Sequence, residues 1–182
     1  MVYESNSLFL TITLNRPKAL NALSLEMINN LGRHLPIIKE HQAFWLQGAG
    51  GKAFCAGGDV KALFGKDATV EDRLTFFRNE FILDYNISTL KTVQISCWDG
   101  IVMGGGVGLS VFSPIIIATE KTVFAMPEAK LGFFTDVGAN YILARLRNNI
   151  GYYLGMTGDS LRGEDVFIAG LAHFYIPSAR LK

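Results

Sequence analysis

A mixed α/β fold built from stacked strand–strand–helix units is what this sequence predicts, and three features predict it. Short apolar strands recur along the chain, glycine-rich turns follow them, and segments with helical apolar spacing come after the turns. A chain of 182 residues is near the usual size of one domain, and no linker-like stretch divides it. Residues 1–182 are therefore expected to form a single core domain. With 49% hydrophobic residues, 18% charged residues and 19 glycines, the composition excludes disorder and suits a packed core with many tight backbone passages.

Leu8, Leu10, Ile12 and Leu14 alternate with Phe9, Thr11 and Thr13, the period of a strand with one buried face, and Asn15-Arg16-Pro17 ends it. Ser24 is placed to cap a helix in which Leu25, Ile28, Leu31 and Leu35 share a face, with Pro36 bending or closing it. Ala43 to Leu46 reads as a second strand. Gly48-Ala49-Gly50-Gly51 breaks it into a loop carrying Phe54-Cys55-Ala56-Gly57-Gly58-Asp59, and a short helix follows. Leu74, Phe77, Phe81 and Tyr85 mark the apolar stripe of a longer amphipathic helix, with Glu80 close to the stripe's edge. Thr92 to Cys97 is a third strand, and Gly100 leads through Ile101-Val102-Met103 to Gly104-Gly105-Gly106 and another short helix. Strands recur at Ile115 to Thr119 and at Val123 to Met126. From Val137 to Gly170 the spacing is mostly helical, punctuated by Gly151, Gly158 and Gly163, and the last helix runs into His173-Phe174-Tyr175.

Seventeen Lys+Arg against sixteen Asp+Glu leave a net charge of +1, which excludes a nucleic-acid-binding face built on bulk charge. A small anionic ligand stays open to local cations or helix N-termini. Cys55 and Cys97 lie far apart without metal-ligand spacing, so no metal site is expected and both are read as reduced. No signal peptide precedes them, which leaves the Asn86-Ile87-Ser88 sequon without a secretory context. No apolar stretch reaches the ~20 residues needed to cross a bilayer, so a soluble protein without a membrane partner is expected. The N-terminus lacks an Arg-rich amphipathic leader, as in a protein that is not imported or one whose leader lies outside this sequence. Gly51-Lys52 is followed by Ala53 instead of Ser or Thr, against a Walker site. Gly48-Ala49-Gly50 opens a loop instead of a long helix, against dinucleotide binding.

Two glycine loops and two acids remain as carriers of chemistry. In Cys55-Ala56-Gly57-Gly58-Asp59 the small residues let a ligand approach the backbone and Asp59 is placed to cap the next helix; a tight surface turn fits the same residues. In Met103-Gly104-Gly105-Gly106-Val107-Gly108 the glycines can deliver free N–H groups to a carbonyl oxygen, or serve close helix packing. One donor from each loop makes an oxyanion hole, and each such donor contributes about 3 kcal/mol to a transition state. Glu128 follows Met126-Pro127 at the end of an apolar strand, where partial burial raises a carboxyl pKa toward useful acid–base values. Asp136 lies past Leu131-Gly132-Phe133-Phe134, either to meet Glu128 in one pocket or to cap a helix. A Cys–His nucleophile is disfavoured, because no local sequence sets His34, His41 or His173 beside Cys55.

Read in order, Asn15-Arg16-Pro17-Lys18-Ala19-Leu20-Asn21-Ala22-Leu23, then Phe54-Cys55-Ala56-Gly57-Gly58-Asp59, then the triple glycine, resemble the enoyl-CoA hydratase/isomerase (crotonase) superfamily, over Leu8 to Leu181. The resemblance implies a crotonase-like spiral of ββα units whose two loops supply oxyanion N–H groups from Gly58 and Gly105. Gly104 to Val111, Ala118-Thr119-Glu120-Lys121, Phe124 to Glu128 and Asp136-Val137-Gly138 look like the superfamily's thioester-hydrolysing branch. Leu154 to Gly158 and Ala169-Gly170-Leu171-Ala172 continue the match. Where hydratases place a second catalytic glutamate shortly after the triple glycine, this chain has Gly108, so the machinery for adding water to a double bond is incomplete. The hydrolase pattern implies Glu128 and Asp136 as the acid pair, with Glu80, Ala56 and Gly105 joining them in substrate binding. Thr135, Ala139 and Phe112-Ser113-Pro114-Ile115-Ile116 depart from the pattern without removing any of these groups.

The reaction this implies is hydrolysis of a short branched 3-hydroxyacyl-CoA thioester in valine catabolism. It needs no cofactor, since coenzyme A is part of the acyl-CoA substrate. A homo-oligomer is implied, in the mitochondrial matrix of a eukaryote or otherwise in the cytoplasm. Arg16 and Lys18 are candidates for the CoA phosphates, or equally solvated turn charges. Superfamily members continue into a helical C-terminal segment that covers the acyl pocket, so the expected fold is the spiral with that segment truncated. An enoyl-CoA hydratase or isomerase with a relocated acid, and a non-catalytic subunit of an assembly such as a mitochondrial ribosome, are the alternatives.

Overall fold

The computed structural model describes residues 1–6 and 8–181. The opening hairpin pairs β1 (Val2–Ser5) antiparallel with β2 (Phe9–Leu14). In β2 the alternation works as its spacing predicts, with Leu10, Ile12 and Leu14 buried, while Leu8 lies outside the strand and exposed. Ser24 caps α1 (Leu25–Ile38) by accepting from the Met27 N–H, which satisfies one of the free donors of the first turn. Pro36 does not close this helix where it stands. It sits on the solvent side of the last turn, where it forfeits one hydrogen bond, and the helix ends at Ile38.

The chain then shuttles between two sheets. β3 (Ala43–Gly48), β5 (Val93–Trp98) and β7 (Ile115–Ala118) extend the first sheet in parallel, giving the order β1-β2-β3-β5-β7-β10 once β10 (Phe174–Tyr175) adds at the far edge. Each of these inner strands is followed by a short strand of the second sheet: β4 (Ala53–Cys55), β6 (Ile101–Met103) and β8 (Val123–Ala125), with β9 (Ser160–Arg162) antiparallel at its edge. After β4 come α2 (Val60–Leu63) and α3 (Val70–Ser88), and after β6 comes α4 (Gly105–Gly108). After β8 come a 3-10 turn (Pro127–Leu131) and α5 (Ala139–Leu143). Each turn of the chain is thus one ββα unit, and successive units stack into a spiral.

Five expectations need correction. Phe54-Cys55 does not lie in a loop: with Ala53 it forms β4, and the loop begins only at Ala56. The segment from Val137 to Gly170 is not helical throughout: it holds α5, α6 (Ile150–Thr157) and α7 (Glu164–Ile168), but also β9. Gly151 does not punctuate it, since it lies inside α6 against the Leu143 carbonyl, where a side chain has no room. The last helix stops at Ile168, and Phe174–Tyr175 is a strand. Most consequential is α3. Leu74, Phe81 and Tyr85 are exposed and Phe77 is half-buried, while the face turned inward carries Phe76, Glu80, Leu83, Asp84 and Ile87. Glu80 is therefore in the middle of the buried face and not beside the stripe.

A buried polar chain ties α4 to the first sheet. The Trp98 indole N–H donates to Ser110 Oγ at 2.9 Å, and that hydroxyl donates to the Gly106 carbonyl at 2.8 Å. Gln94 Nε2 donates to the Leu109 carbonyl at 2.8 Å and to Ser96 Oγ at 3.0 Å. These bonds fix where the triple-glycine turn sits relative to β5, because breaking any of them strands a buried polar group.

Candidate active site

The first glycine loop is held by the segment Arg16–Leu23. Asn21, fully buried, accepts from the Arg16 N–H through Oδ1 and donates through Nδ2 to the carbonyls of Ala49 and Ala53. The Leu23 N–H donates to the Gly57 carbonyl at 2.8 Å, and the Asp59 N–H returns to the Leu23 carbonyl at 2.9 Å. Arg16 adds a guanidinium that reaches Asp59 Oδ2 at 2.8 Å and the Ala22 carbonyl at 2.9 Å. Desolvation works against it, but Arg16 and the Ala62 N–H together hold the Asp59 carboxyl below its ordinary range. Asp59 also caps α2, as its position predicts. Arg16 is thus committed to bracing the loop, with its side chain partly exposed, while Lys18 is exposed.

The bracing leaves the loop's central amide uncommitted. Among the described residues, the Gly58 N–H has no loop, cap or side-chain acceptor, and neither has that of Gly105, the first residue of α4. The two loops touch: a methyl group on Gly57 would sit 3.2 Å from the Met103 carbonyl oxygen and 3.6 Å from Gly105 N. Gly104 has φ +47, outside the range open to most side chains, and a methyl there would lie 2.9 Å from Glu128 Oε1. At Gly105 a methyl would collide with Glu80 Oε1. Both carboxyls therefore press on consecutive residues of one glycine turn.

One cavity of about 370 Å³ gathers these groups: Ala56, Gly58, Gly105, Glu80, Glu128 and Asp136 all line it. Glu80 is 3% exposed, and burial, with the charges of Asp136 and Glu128 adding, pushes its carboxyl up to about 8. Glu128 is 9% exposed on the 3-10 turn, and burial with the Asp136 charge pushes it up to about 7. Asp136 is raised by burial too. It does not cap α5, whose first turn has no side-chain cap; only its carbonyl takes part, accepting from the Ala139 N–H. Beside it Val137, a β-branched residue, is held at φ 47, a strained conformation of the kind that collects at functional sites.

Sequence reasoning missed Asp84. It is 7% exposed on α3, neither carboxyl oxygen has a hydrogen-bond partner among the described residues, and burial followed by the charges of Glu80 and Asp136 raises it well above its ordinary value. The signal that existed was its spacing, one helical turn beyond Glu80. The remaining expectations on nucleophiles stand. Cys55 is buried with its thiol pushed up to about 12 by desolvation, too high for thiolate chemistry at neutral pH. His34 stacks on Tyr3, His173 Nδ1 accepts from the Ile116 N–H, and no histidine lines the cavity. Among the described residues, no cluster of His, Cys, Asp and Glu has a geometry that would hold a metal ion, and no helix is long and apolar enough to cross a membrane.

Chemically, two uncommitted amides beside ionisable carboxyls of raised pKa make a place where a carbonyl oxygen can gain charge while a carboxylate accepts a proton. The chain is 51% identical over 176 residues to 3-hydroxyisobutyryl-CoA hydrolase, mitochondrial, of Xenopus laevis, an alignment covering 93% of this chain and 45% of that protein. The Dictyostelium discoideum protein of the same name is 41% identical over 194 residues, covering all of this chain and 51% of its own. The chain spans about half the length of the curated relatives it matches. Among solved structures, a carnitinyl-CoA dehydratase from Mycobacterium thermoresistibile superposes with a TM-score of 0.92 at 34% identity, over 99% of this chain and 54% of its own. An enoyl-CoA hydratase from Bacillus anthracis gives 0.90 at 27%, over 98% and 70%. The spiral is therefore the crotonase fold. With the sequence model described as enoyl-CoA hydratase/isomerase matching residues 9–182, the chain belongs to the enoyl-CoA hydratase/isomerase family.

Proposed function

We propose that this chain holds the catalytic core of an acyl-CoA thioester hydrolase that converts 3-hydroxyisobutyryl-CoA to 3-hydroxyisobutyrate and coenzyme A, a step of valine breakdown. The observation that carries the reading is the apposition of Glu80 and Glu128 to the adjacent residues Gly105 and Gly104, in the same cavity as Gly58 and Asp136. The 41–51% identity to hydrolases of that name, and a glycine at position 108 in place of a second acid on the turn, favour hydrolysis over hydration.

The thioester oxygen accepts hydrogen bonds from the Gly58 and Gly105 N–H groups. Glu128, as carboxylate, takes a proton from water while the water oxygen bonds to the carbonyl carbon and the C=O electron pair moves onto oxygen. When that pair returns, the C–S bond breaks, and the proton held by Glu128 passes to the departing sulfur, leaving a free acid and coenzyme A. Asp136 orients the water and Glu80 binds the substrate's acyl portion. Direct attack by Glu128 to give a transient anhydride is the variant of this scheme; label in the Glu128 carboxyl after a single turnover in ¹⁸O-water identifies it, since water attacking the Glu128 carbonyl of the anhydride places label there and no step of the base route does.

Glu128 serves as base only when ionised, so kcat/KM is expected to rise as pH increases through about 7. A thiol-release assay on a panel of short acyl-CoAs tests the reading, with Glu128→Gln expected to lose at least about a hundredfold in rate. Unchanged thiol release in that variant sinks the assignment, and water addition to crotonyl-CoA without release of free coenzyme A would point to hydratase chemistry. The reading places a eukaryotic form of the protein in the mitochondrial matrix, as its relatives' names suggest, and a bacterial form in the cytoplasm. It also includes self-association, supported by the exposed aromatic surface of Phe81, Tyr85, Phe112 and Phe134.

A further inference from the structure

Glu80, Glu128 and Asp136 have parts in the proposed reaction, and Asp84 has none. Asp84 is nevertheless more than nine-tenths buried, and among the described residues both of its carboxyl oxygens lack a hydrogen-bond partner, as does Glu80 Oε1. The two acids are one turn apart on α3. They face two glycines that are one turn apart on α4: a methyl on Gly105 would strike Glu80 Oε1, and a methyl on Gly108 would lie 2.6 Å from Asp84 Oδ2. The acids of one helix are in register with the glycines of the other, and Gly108 leaves the space that Asp84 fills.

Among the described residues, no lysine, arginine or histidine lines the active-site cavity or the neighbouring aromatic cavity that Asp84 borders. An ionised Asp84 would be a buried charge without a counter-ion among the described residues, so the neutral acid is the form this site selects. A neutral acid has an O–H to donate. The titratable groups packed around it are Glu80 on its own helix, Asp136 in the loop before α5, the Cys55 thiol of β4, which stays protonated, and, beyond Glu80, Glu128. Of these, Glu80 offers an unpartnered acceptor on the same helix face.

We propose that Asp84 is a positioning residue of this site: a neutral carboxylic acid that donates a hydrogen bond to an oxygen of the Glu80 carboxyl, directly or through one water, and so orients Glu80 against the Gly105 turn. The kinetic consequence rests on the hydrolase reading, but the pairing itself does not. Asn at position 84 keeps a donor of nearly the same shape, whereas Leu keeps only the volume. Removing the donor leaves the ionised form of Glu80 less favoured and its orientation unheld.

The test is a ¹³C-carboxyl NMR titration of the full chain as wild type, Asp84→Asn and Asp84→Leu, with thiol release from 3-hydroxyisobutyryl-CoA followed over the same pH range. In the wild type, Asp84 is expected to keep its proton through pH 7. Asp84→Asn is expected to hold the Glu80 titration in place and kcat/KM within about twofold, while Asp84→Leu raises the Glu80 titration by about one pH unit and cuts kcat/KM about tenfold. An ionised Asp84 at pH 7 in the wild type, which needs no variant to fold, overturns the proposal. So does a folded Asp84→Leu protein whose Glu80 titrates as before. Absence of thiol release from the wild type on every acyl-CoA would instead remove the hydrolase reading, leaving the NMR titration to decide the Asp84–Glu80 pairing.

Discussion

A methyl group at Gly105 would meet the Glu80 carboxyl and come within 3.3 Å of Leu23 Cδ1, whereas one at Gly58 would meet the edge of the Phe76 ring, at 3.1 and 3.3 Å, and Leu63 Cδ1 at an ordinary 3.8 Å. Gly58 has no positive φ to protect, and a ring edge can yield by a few tenths of an ångström where a carboxyl wedged between helices cannot. Gly105→Ala is therefore expected to displace Glu80 and the adjacent amide and to lower kcat by about 10²-fold or more, the usual cost of losing one oxyanion donor. Gly58→Ala should stay within about tenfold of the wild type. Equal losses in a thiol-release assay would show that the two loops are not distinguished by packing in this way. The glycines were legible in the sequence because clustered glycines followed by a helix start leave donors free, a purely local property. Glu80 came into the site only by family resemblance, and Asp84 by nothing: burial of a carboxyl depends on which residues of another element lack side chains, here Gly105 and Gly108.

At the scale of elements, α3 shows how apolar periodicity can select the wrong face. Leu74, Phe77, Phe81 and Tyr85 fall on one stripe, but the stripe that packs is Phe76, Glu80, Leu83, Asp84 and Ile87, in which two of five residues are acids. A hydrophobicity pattern counts those acids as solvent positions, so a helix that brings carboxyls to a site reads as rotated. Leu83 is 2% exposed and Leu74 60%. Leu83→Ala should cost about 2–5 kcal/mol in urea unfolding, and Leu74→Ser less than about 0.5 kcal/mol; the reverse order would restore the stripe read from sequence. In α4 the decisive contact is Ser110, whose hydroxyl links Trp98 to the Gly106 carbonyl. Ser110→Ala leaves a buried indole N–H unpaired and is expected to cost about 1–3 kcal/mol. Its kcat should fall as well, since the same bond sets the position of the Gly105 amide. The five strands absent from the sequence reading, β1, β4, β6, β9 and β10, are each two to four residues long, too short for a period of two to declare itself.

For the molecule as a whole, the buried acids set how stability depends on pH. Glu80 titrates near 8 and Glu128 near 7 in the folded chain, against an ordinary value of 4.5, and Asp84 and Asp136 are raised as well. Between the ordinary and the folded values, the native state holds more protons than the unfolded chain. Stability is then greatest while these groups are protonated and declines as pH rises from about 4.5 to about 8. Asp59, lowered overall, acts in the opposite sense, but only at pH values below the ordinary carboxyl range. The chain should therefore resist urea best near pH 5 and lose on the order of a few kcal/mol by pH 8. Catalysis is expected to run the other way, because Glu128 must ionise to act as base. The same burial that readies the carboxyls for proton transfer makes their working charge state the less stable one. Glu80→Gln removes one titrating group from the window and should flatten the stability profile above pH 6 while keeping the folded volume. A urea midpoint that is constant or rises between pH 5 and pH 8 in the wild type would mean that these carboxyls titrate as solvated groups, and the acid pocket as described would not exist in solution.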